Sequence, residues 1–112
     1  MGKQCTTILA LPVKAVGAIT EYRFVTATGA QAGAGANTLG TSEYAADDGE
    51  TLSVANLGTA IVEAGAAVAA GAAVQSDASG RAITKDTGAT VARALEAAAA
   101  AGGFIEVTLI PN

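Results

Sequence analysis

The stretch Ala64 to Ile83, AGAAVAAGAAVQSDASGRAI, has the alanine content of a helix but not its periodicity. Val62, Val68 and Val74 recur every six residues. On a helix, which turns about 100° per residue, successive valines stand about 240° apart and share no apolar face. On a pleated strand an even spacing keeps all three on one side, as a half-buried sheet requires. Gly65 and Gly71 would each weaken a helix by about 1 kcal/mol relative to alanine, yet they suit the turns and bulges between short strands. Asp77-Ala78-Ser79-Gly80 supplies turn-forming residues between Val74-Gln75-Ser76 and Arg81-Ala82-Ile83, which predicts a hairpin.

Thr6 to Leu11 is β-favouring, and Pro12 predicts an edge strand or a strand end. Tyr22-Arg23-Phe24-Val25-Thr26 alternates bulky and polar groups and stops at Thr28-Gly29. The interval GAQAGAGANTLG, Gly29 to Gly40, reads as a loop with a short strand. After the turn signal Asp47-Asp48-Gly49, two separate strands are predicted, Thr51 to Val54 and Gly58 to Glu63. Thr90 to Ala101, TVARALEAAAAA, carries strong helical propensity, but Val91, Arg93 and Leu95 alternate with alanines. This predicts a strand over Val91 to Leu95, then an alanine-rich loop with room for one helical turn within Glu96 to Ala101. Phe104 to Ile110 is the clearest strand, stopped by Pro111, and is expected to pair with Val91 to Leu95. The expected fold is mainly β: a small β-barrel or β-sandwich of short antiparallel strands with glycine-rich loops.

A chain of 112 residues makes one domain. Residues 1–17 are expected to form an N-terminal arm and first strand, and residues 18–112 a single β-rich domain. Half of the residues are apolar, but alanine supplies much of that share, tryptophan is absent, and phenylalanine and tyrosine number two each. Such a core is thin, and association between subunits is a usual remedy. Six basic against ten acidic residues give a net charge of −4 without a Lys/Arg cluster, which argues against nucleic acid as a partner. Ile8 to Val13 is apolar but broken by Pro12 and Lys14, far short of a membrane span, and reads as a strand and not a secretory signal. Met1-Gly2-Lys3-Gln4-Cys5-Thr6 also matches an acylation pattern, but a polar arm is the plainer reading.

Candidate chemistry is sparse. The chain has no histidine, so a base tuned near neutral pH would fall to carboxylates, Lys14, Lys85, Tyr22, Tyr44 or Cys5, and none stands in a recognisable constellation. Cys5 is a lone thiol, unable to close a disulfide within the chain, and fits a reducing compartment. Glu43, Asp47, Asp48 and Glu50 gather charge without the ordered spacing of a calcium loop. Gly33-Ala34-Gly35 lacks the third glycine of a dinucleotide fingerprint. No catalytic, cofactor or metal site is therefore expected. Arg23, Arg81 and Arg93 read as solvated or paired strand residues, with one or two available to anchor subunit contacts.

The order of features carries a resemblance. Asp48-Gly49-Glu50-Thr51-Leu52-Ser53-Val54, then Gly58 to Glu63, then AGAAVAAGAAVQSDASGRAI, then ALEAAAAAGGFIEVTLI, resembles the small capsid cement, or head-decoration, proteins of tailed bacteriophages. The likeness spans roughly Ala18 to Ile110. Its strongest parts are V-x-x-G-x-x-V-x-S-D-x-x-G-R over Val68 to Arg81 and A-L-E-A…G-x-I-E-V over Ala94 to Val107. The resemblance implies a β-rich structural virion protein without enzymatic activity, made in the bacterial host cytoplasm. Its implied partners are the major capsid protein and itself, as a homotrimer on the outer face of the capsid that stabilises the expanded shell against packaged DNA. Val68, Val74 and Ile83 are then hairpin packing positions, and Ala94, Leu95, Ile105 and Val107 belong to the closing strands. Gly2, Lys3, Gln4, Cys5, Thr6 and Thr7 match no family motif; they are expected to reach over a neighbouring subunit, with Arg23, Arg81 and Arg93 as further interface candidates. The rival reading is a secreted or surface-displayed β-rich carbohydrate-binding module, which needs an export signal and an aromatic-lined groove. An enzyme of unrecognised type is the third, and it needs titrating groups of which the chain has few.

Overall fold

The computed structural model of the chain describes residues 6–112, which form eight β-strands and no helix. The strands are β1 (Thr7–Lys14), β2 (Phe24–Val25), β3 (Gly40–Ser42), β4 (Thr51–Glu63), β5 (Ala73–Ser76), β6 (Ala82–Thr84), β7 (Ala92–Ala94) and β8 (Phe104–Leu109). They pair antiparallel in the order β2-β3-β4-β8-β7-β5-β6, with β1 added on β4. The two ends of this path meet. Phe24 of β2 donates its N–H to the Gly80 carbonyl in the β5–β6 turn (2.8 Å), and Gly65, just past β4, donates to Ala82 of β6 (2.8 Å). The sheet is thus a nearly closed small barrel, the first of the two expected architectures. Closure removes the free sheet ends that short strands would otherwise expose.

The hairpin forms as its turn residues predict. Val74, Gln75 and Ser76 face Thr84, Ile83 and Ala82. Asp77 Oδ1 accepts from the Ser79 and Arg81 amides (2.8 and 2.9 Å), and this local bonding gives the turn its shape. The closing strands also pair as expected, Ala92, Arg93 and Ala94 opposite Leu109, Thr108 and Val107.

Two local expectations are corrected. The helical turn within Glu96 to Ala101 does not form, because Ala98 exchanges both backbone hydrogen bonds with Val68 (2.9 and 2.8 Å) and its amide is not free for a helix. The two strands predicted on either side of Ala55-Asn56-Leu57 are one, β4, which changes partners along its length. Its first half lies between β1 and β3, and its second half pairs with β8. Gly58 allows the passage: it takes φ +103°, and a Cβ there would collide with the Thr6 carbonyl oxygen. Of the two alternatives at Pro12, the edge strand is the one found: β1 pairs with β4 alone and runs through Pro12 to Lys14. Ala15 donates to the Glu50 carbonyl, so by antiparallel alternation Leu11 and Val13 turn their peptide groups toward β4 and Pro12 turns away. A residue without an N–H fits that outward position.

Val62, Val68 and Val74 all enter the main core, together with Phe24, Val91, Ile105, Val107 and Leu109. Eight of the sixteen buried residues in that cluster are alanines, so its interior is narrow and a large ring has few places to go. Val68 gets there from a turn-rich connection and not from a continuous strand. A second cluster of Ala15, Ile19, Val25, Ala46, Leu52 and Val54 lies under the β1–β4 ribbon. Consecutive residues of β2 serve both clusters, Phe24 one and Val25 the other, because neighbouring strand side chains point to opposite faces.

Candidate interaction surface

The residues expected at an interface fall into three groups. Gly2, Lys3, Gln4 and Cys5 lie outside the described residues. Thr6 and Thr7 are bound to β4: the Thr6 amide donates to Thr59 Oγ1 (2.8 Å), Thr59 N–H to the Thr6 carbonyl (2.9 Å), and Thr7 Oγ1 to the Thr59 carbonyl (3.3 Å). The arginines differ from one another. Arg93, exposed on β7, donates from Nη1 to the Gly71 carbonyl (2.9 Å).

Arg23 and Arg81 instead share Glu63. Arg23 Nη2 lies 3.0 Å from Glu63 Oε1 and Arg81 Nη1 3.6 Å from Oε2, while Arg81 Nε reaches Asp77 Oδ2 at 3.2 Å. Arg23 Nη1 also donates to the Ser79 carbonyl (2.9 Å). Two guanidiniums and two carboxylates cancel in charge and tie the hairpin turn to the end of β4, across the seam where the barrel closes. Glu63→Gln would leave Arg23 without a carboxylate and Arg81 with Asp77 alone. A loss of about 2 kcal/mol is expected, between the values for exposed and buried pairs, and denaturant titration at low and high salt would measure it.

Two apolar surface features were not foreseen. The first is on the β1–β4 ribbon, where Ile8 is 72% exposed and Leu9 and its partner Leu57 are also exposed. The sequence did hold a signal: TILALPV is apolar on both faces of a strand, which requires a cover on each side, and the chain covers one. The outer edge of this strand is poorly suited to receive another strand. Register shifts at Leu9, the missing amide of Pro12 and the charge of Lys14 all interrupt it, the devices by which edges avoid indiscriminate pairing.

The second feature is aromatic. Tyr22 and Phe104 meet edge to face, with ring centroids 5.6 Å apart and planes at 75°. Phe104 is exposed at 40%. Tyr22 is the one non-glycine among the described residues at positive φ (58°), held there by its amide on the Ser42 carbonyl (3.1 Å) and its carbonyl on the Glu63 amide (3.0 Å). Beside it a cleft of about 140 Å³ is lined by Tyr22, Thr41, Ser42, Glu43, Ala60 and Ile61, at the point where β4 leaves β3 and takes up β8. Of the remaining rings, Phe24 is in the core, and the Tyr44 hydroxyl accepts from the Ser53 amide (3.0 Å).

The acidic turn is built from its own side chains. Glu50 Oε1 accepts from the Asp47 amide (2.7 Å) and Asp48 Oδ1 from the Gly17 amide (2.8 Å). These carboxylates cap a loop. Among the described residues no three potential metal-ligand side chains converge, and no helix is long and apolar enough to cross a membrane.

A nearly closed barrel with its ion pairs spent on its own seam and apolar side chains left on its surface is a structural binding module. The particular kind follows from the chain as a whole. The family model described as phage cement protein matches residues 3–109, and the chain belongs to that family, a structural virion protein that binds the phage capsid. A solved structure, the head fiber gp8.5 N base of bacteriophage phi29, shares the fold at a TM-score of 0.76 and 17% identity, over 91% of this chain and 93% of that one. No curated protein matches the chain.

Proposed function

We propose that this protein binds the outer surface of the capsid as a homotrimer and holds the expanded shell against the pressure of packaged DNA. The reading rests on one observation above the others: a barrel whose sheet is nearly closed still leaves Ile8, Leu9, Leu57 and Phe104 exposed, side chains whose burial against neighbours is favourable. Several weak contacts to adjacent capsid subunits multiply through effective concentration. Where only the expanded shell presents all of them together, binding shifts the shell toward that state. Residues 1–17 serve as arm and first strand, and residues 18–112 as the decoration domain. The role is mechanical and involves no catalysis, and synthesis takes place in the host cytoplasm. The aromatic arrangement also weighs against a glycan-binding module, since Tyr22 and Phe104 pack on each other and Phe24 is buried.

The test is to prepare phage heads without the protein. They are expected to assemble and package, then to rupture or release DNA at a lower temperature, with recovery when purified protein is added back. Light scattering of the free protein is expected to give the mass of a trimer. Equal rupture temperatures with and without the protein would overturn the cement role.

A further inference from the structure

Resting on that reading, we infer that the outer face of β4 and β8 around Tyr22, Ile61, Phe104 and Glu106 is the surface that seats on the capsid, and that the capsid subunit supplies a lysine or arginine there. Pairing in the ladder places Ile61 opposite Glu106 and Glu63 opposite Phe104, so these four side chains share one face, while Val62, Ile105 and Val107 point to the core. Glu106 is unusual among them. It is 4% exposed, and its Oε1 is buried without a hydrogen-bond partner. A carboxylate oxygen buried without a partner is costly, and a cation docked over this face would offset that cost.

The surrounding charges point the same way. Glu63 and Asp77 are neutralised by Arg23 and Arg81. Glu43, in the cleft beside Tyr22, accepts from the Ser53 hydroxyl, and Glu96 Oε1 accepts from the Glu106 amide (2.8 Å), so neither meets a cation. Arg93 stands nearby, opposite Thr108, but turns its Nη1 to the Gly71 carbonyl. Three carboxylates, Glu43, Glu96 and Glu106, therefore flank an aromatic pair. A second copy is a poor match for this face. The cations without a carboxylate partner among the described residues are Lys14, Lys85 and Arg93, which lie on β1, after β6 and on β7 and form no cluster. The positive φ of Tyr22 adds to the argument, since a strained backbone that holds an aromatic ring in place is a feature of binding surfaces. Aromatic anchors ringed by complementary charge are the usual energetic centre of an interface.

The experiment is co-sedimentation of the full chain with undecorated expanded heads of the encoding phage, at low and high salt, with thermal unfolding of every variant. Phe104→Ala is expected to weaken binding about thirtyfold. Glu106→Gln is expected to weaken it about tenfold at low salt and to flatten the salt dependence, because screening then has less charge to act on. Glu43→Gln provides a second charge variant if Glu106→Gln lowers the unfolding temperature. Wild-type affinity in folded Phe104→Ala and in a folded charge variant would overturn the inference and leave the cement role standing. Loss of binding in Ile8→Ser with full binding in Phe104→Ala would move the capsid contact to the β1–β4 ribbon and overturn it as well. Failure of the unaltered protein to bind heads would overturn both.

Discussion

Phe24→Ala is expected to remove about 3–5 kcal/mol of stability, a large part of what a domain of this size has. The ring is wholly buried and is the only aromatic side chain in the main core. Half of the cluster around it is alanine, whose short side chains cannot move in to fill a vacated ring, so the cavity term should remain in full. Phe24 also stands at the closure. Its amide binds the Gly80 carbonyl, and its own carbonyl accepts from Ala32 (2.9 Å). Loosening the ring therefore loosens the seam between the first and last strands of the sheet. Urea unfolding followed by circular dichroism would measure the loss; a value under about 1 kcal/mol would mean that the ring does not occupy the core.

Gly40→Ala is expected to cost about 3 kcal/mol through collision of backbone with side chain. Gly40 opens β3, and a Cβ built there overlaps the Ala55 carbonyl oxygen and comes within 2.7 Å of its carbon. Since the obstacle is main chain in the long strand β4, no rotamer change relieves it, and β3 has to shift away. The predicted signature is faster amide exchange at Thr41 and Ala55, which face each other across the β3–β4 ladder. Unchanged exchange at both positions, with unchanged stability, would contradict the close approach of these strands. This substitution also tests why the chain is so rich in glycine: here the residue lets two backbones come closer than any side chain permits.

Much of the fold could be read from local pattern, and the exceptions have physical causes. The hairpin around Asp77 was legible because its turn is stabilised by bonds within five residues, from Asp77 to Ser79 and Arg81. The pairing of β7 with β8 was legible because alternation in Val91 to Leu95 and the run Phe104 to Ile110 each declare a strand with one apolar face. The alanine tract at Glu96 to Ala101 could not be judged in the same way. Its preference is helical, and its conformation is set by Val68, thirty residues away. Nor did Ala55-Asn56-Leu57 carry the signature of a strand. Its continuity comes from Leu9 and Thr41 as neighbours on opposite edges of β4.

The candidate surface was less legible than the fold. Arg23 and Arg81 read in the sequence as solvated or paired, and both are paired, but their shared partner Glu63 is 40 residues from Arg23 and 18 from Arg81 and has no local signal. Tyr22 and Phe104 are 82 residues apart and meet only once the barrel has closed. A surface assembled from such distant positions leaves no period or motif to recognise.

The amino-acid sequence alone determined that this chain is built of short antiparallel strands, because the six-residue spacing of its valines and the placement of its glycines are incompatible with a helical face. It also carried the family resemblance, since the order of the hairpin and closing-strand motifs survives in the linear chain. Tertiary structure alone decided that the sheet nearly closes, that one strand of thirteen residues serves two cores, and that an aromatic pair lies beside a carboxylate, Glu106, with a buried oxygen left unpartnered. The physical reason is one of range. Side-chain alternation and turn bonding act over a few residues and are written locally, whereas strand neighbours, burial and charge pairing depend on segments brought together by the fold.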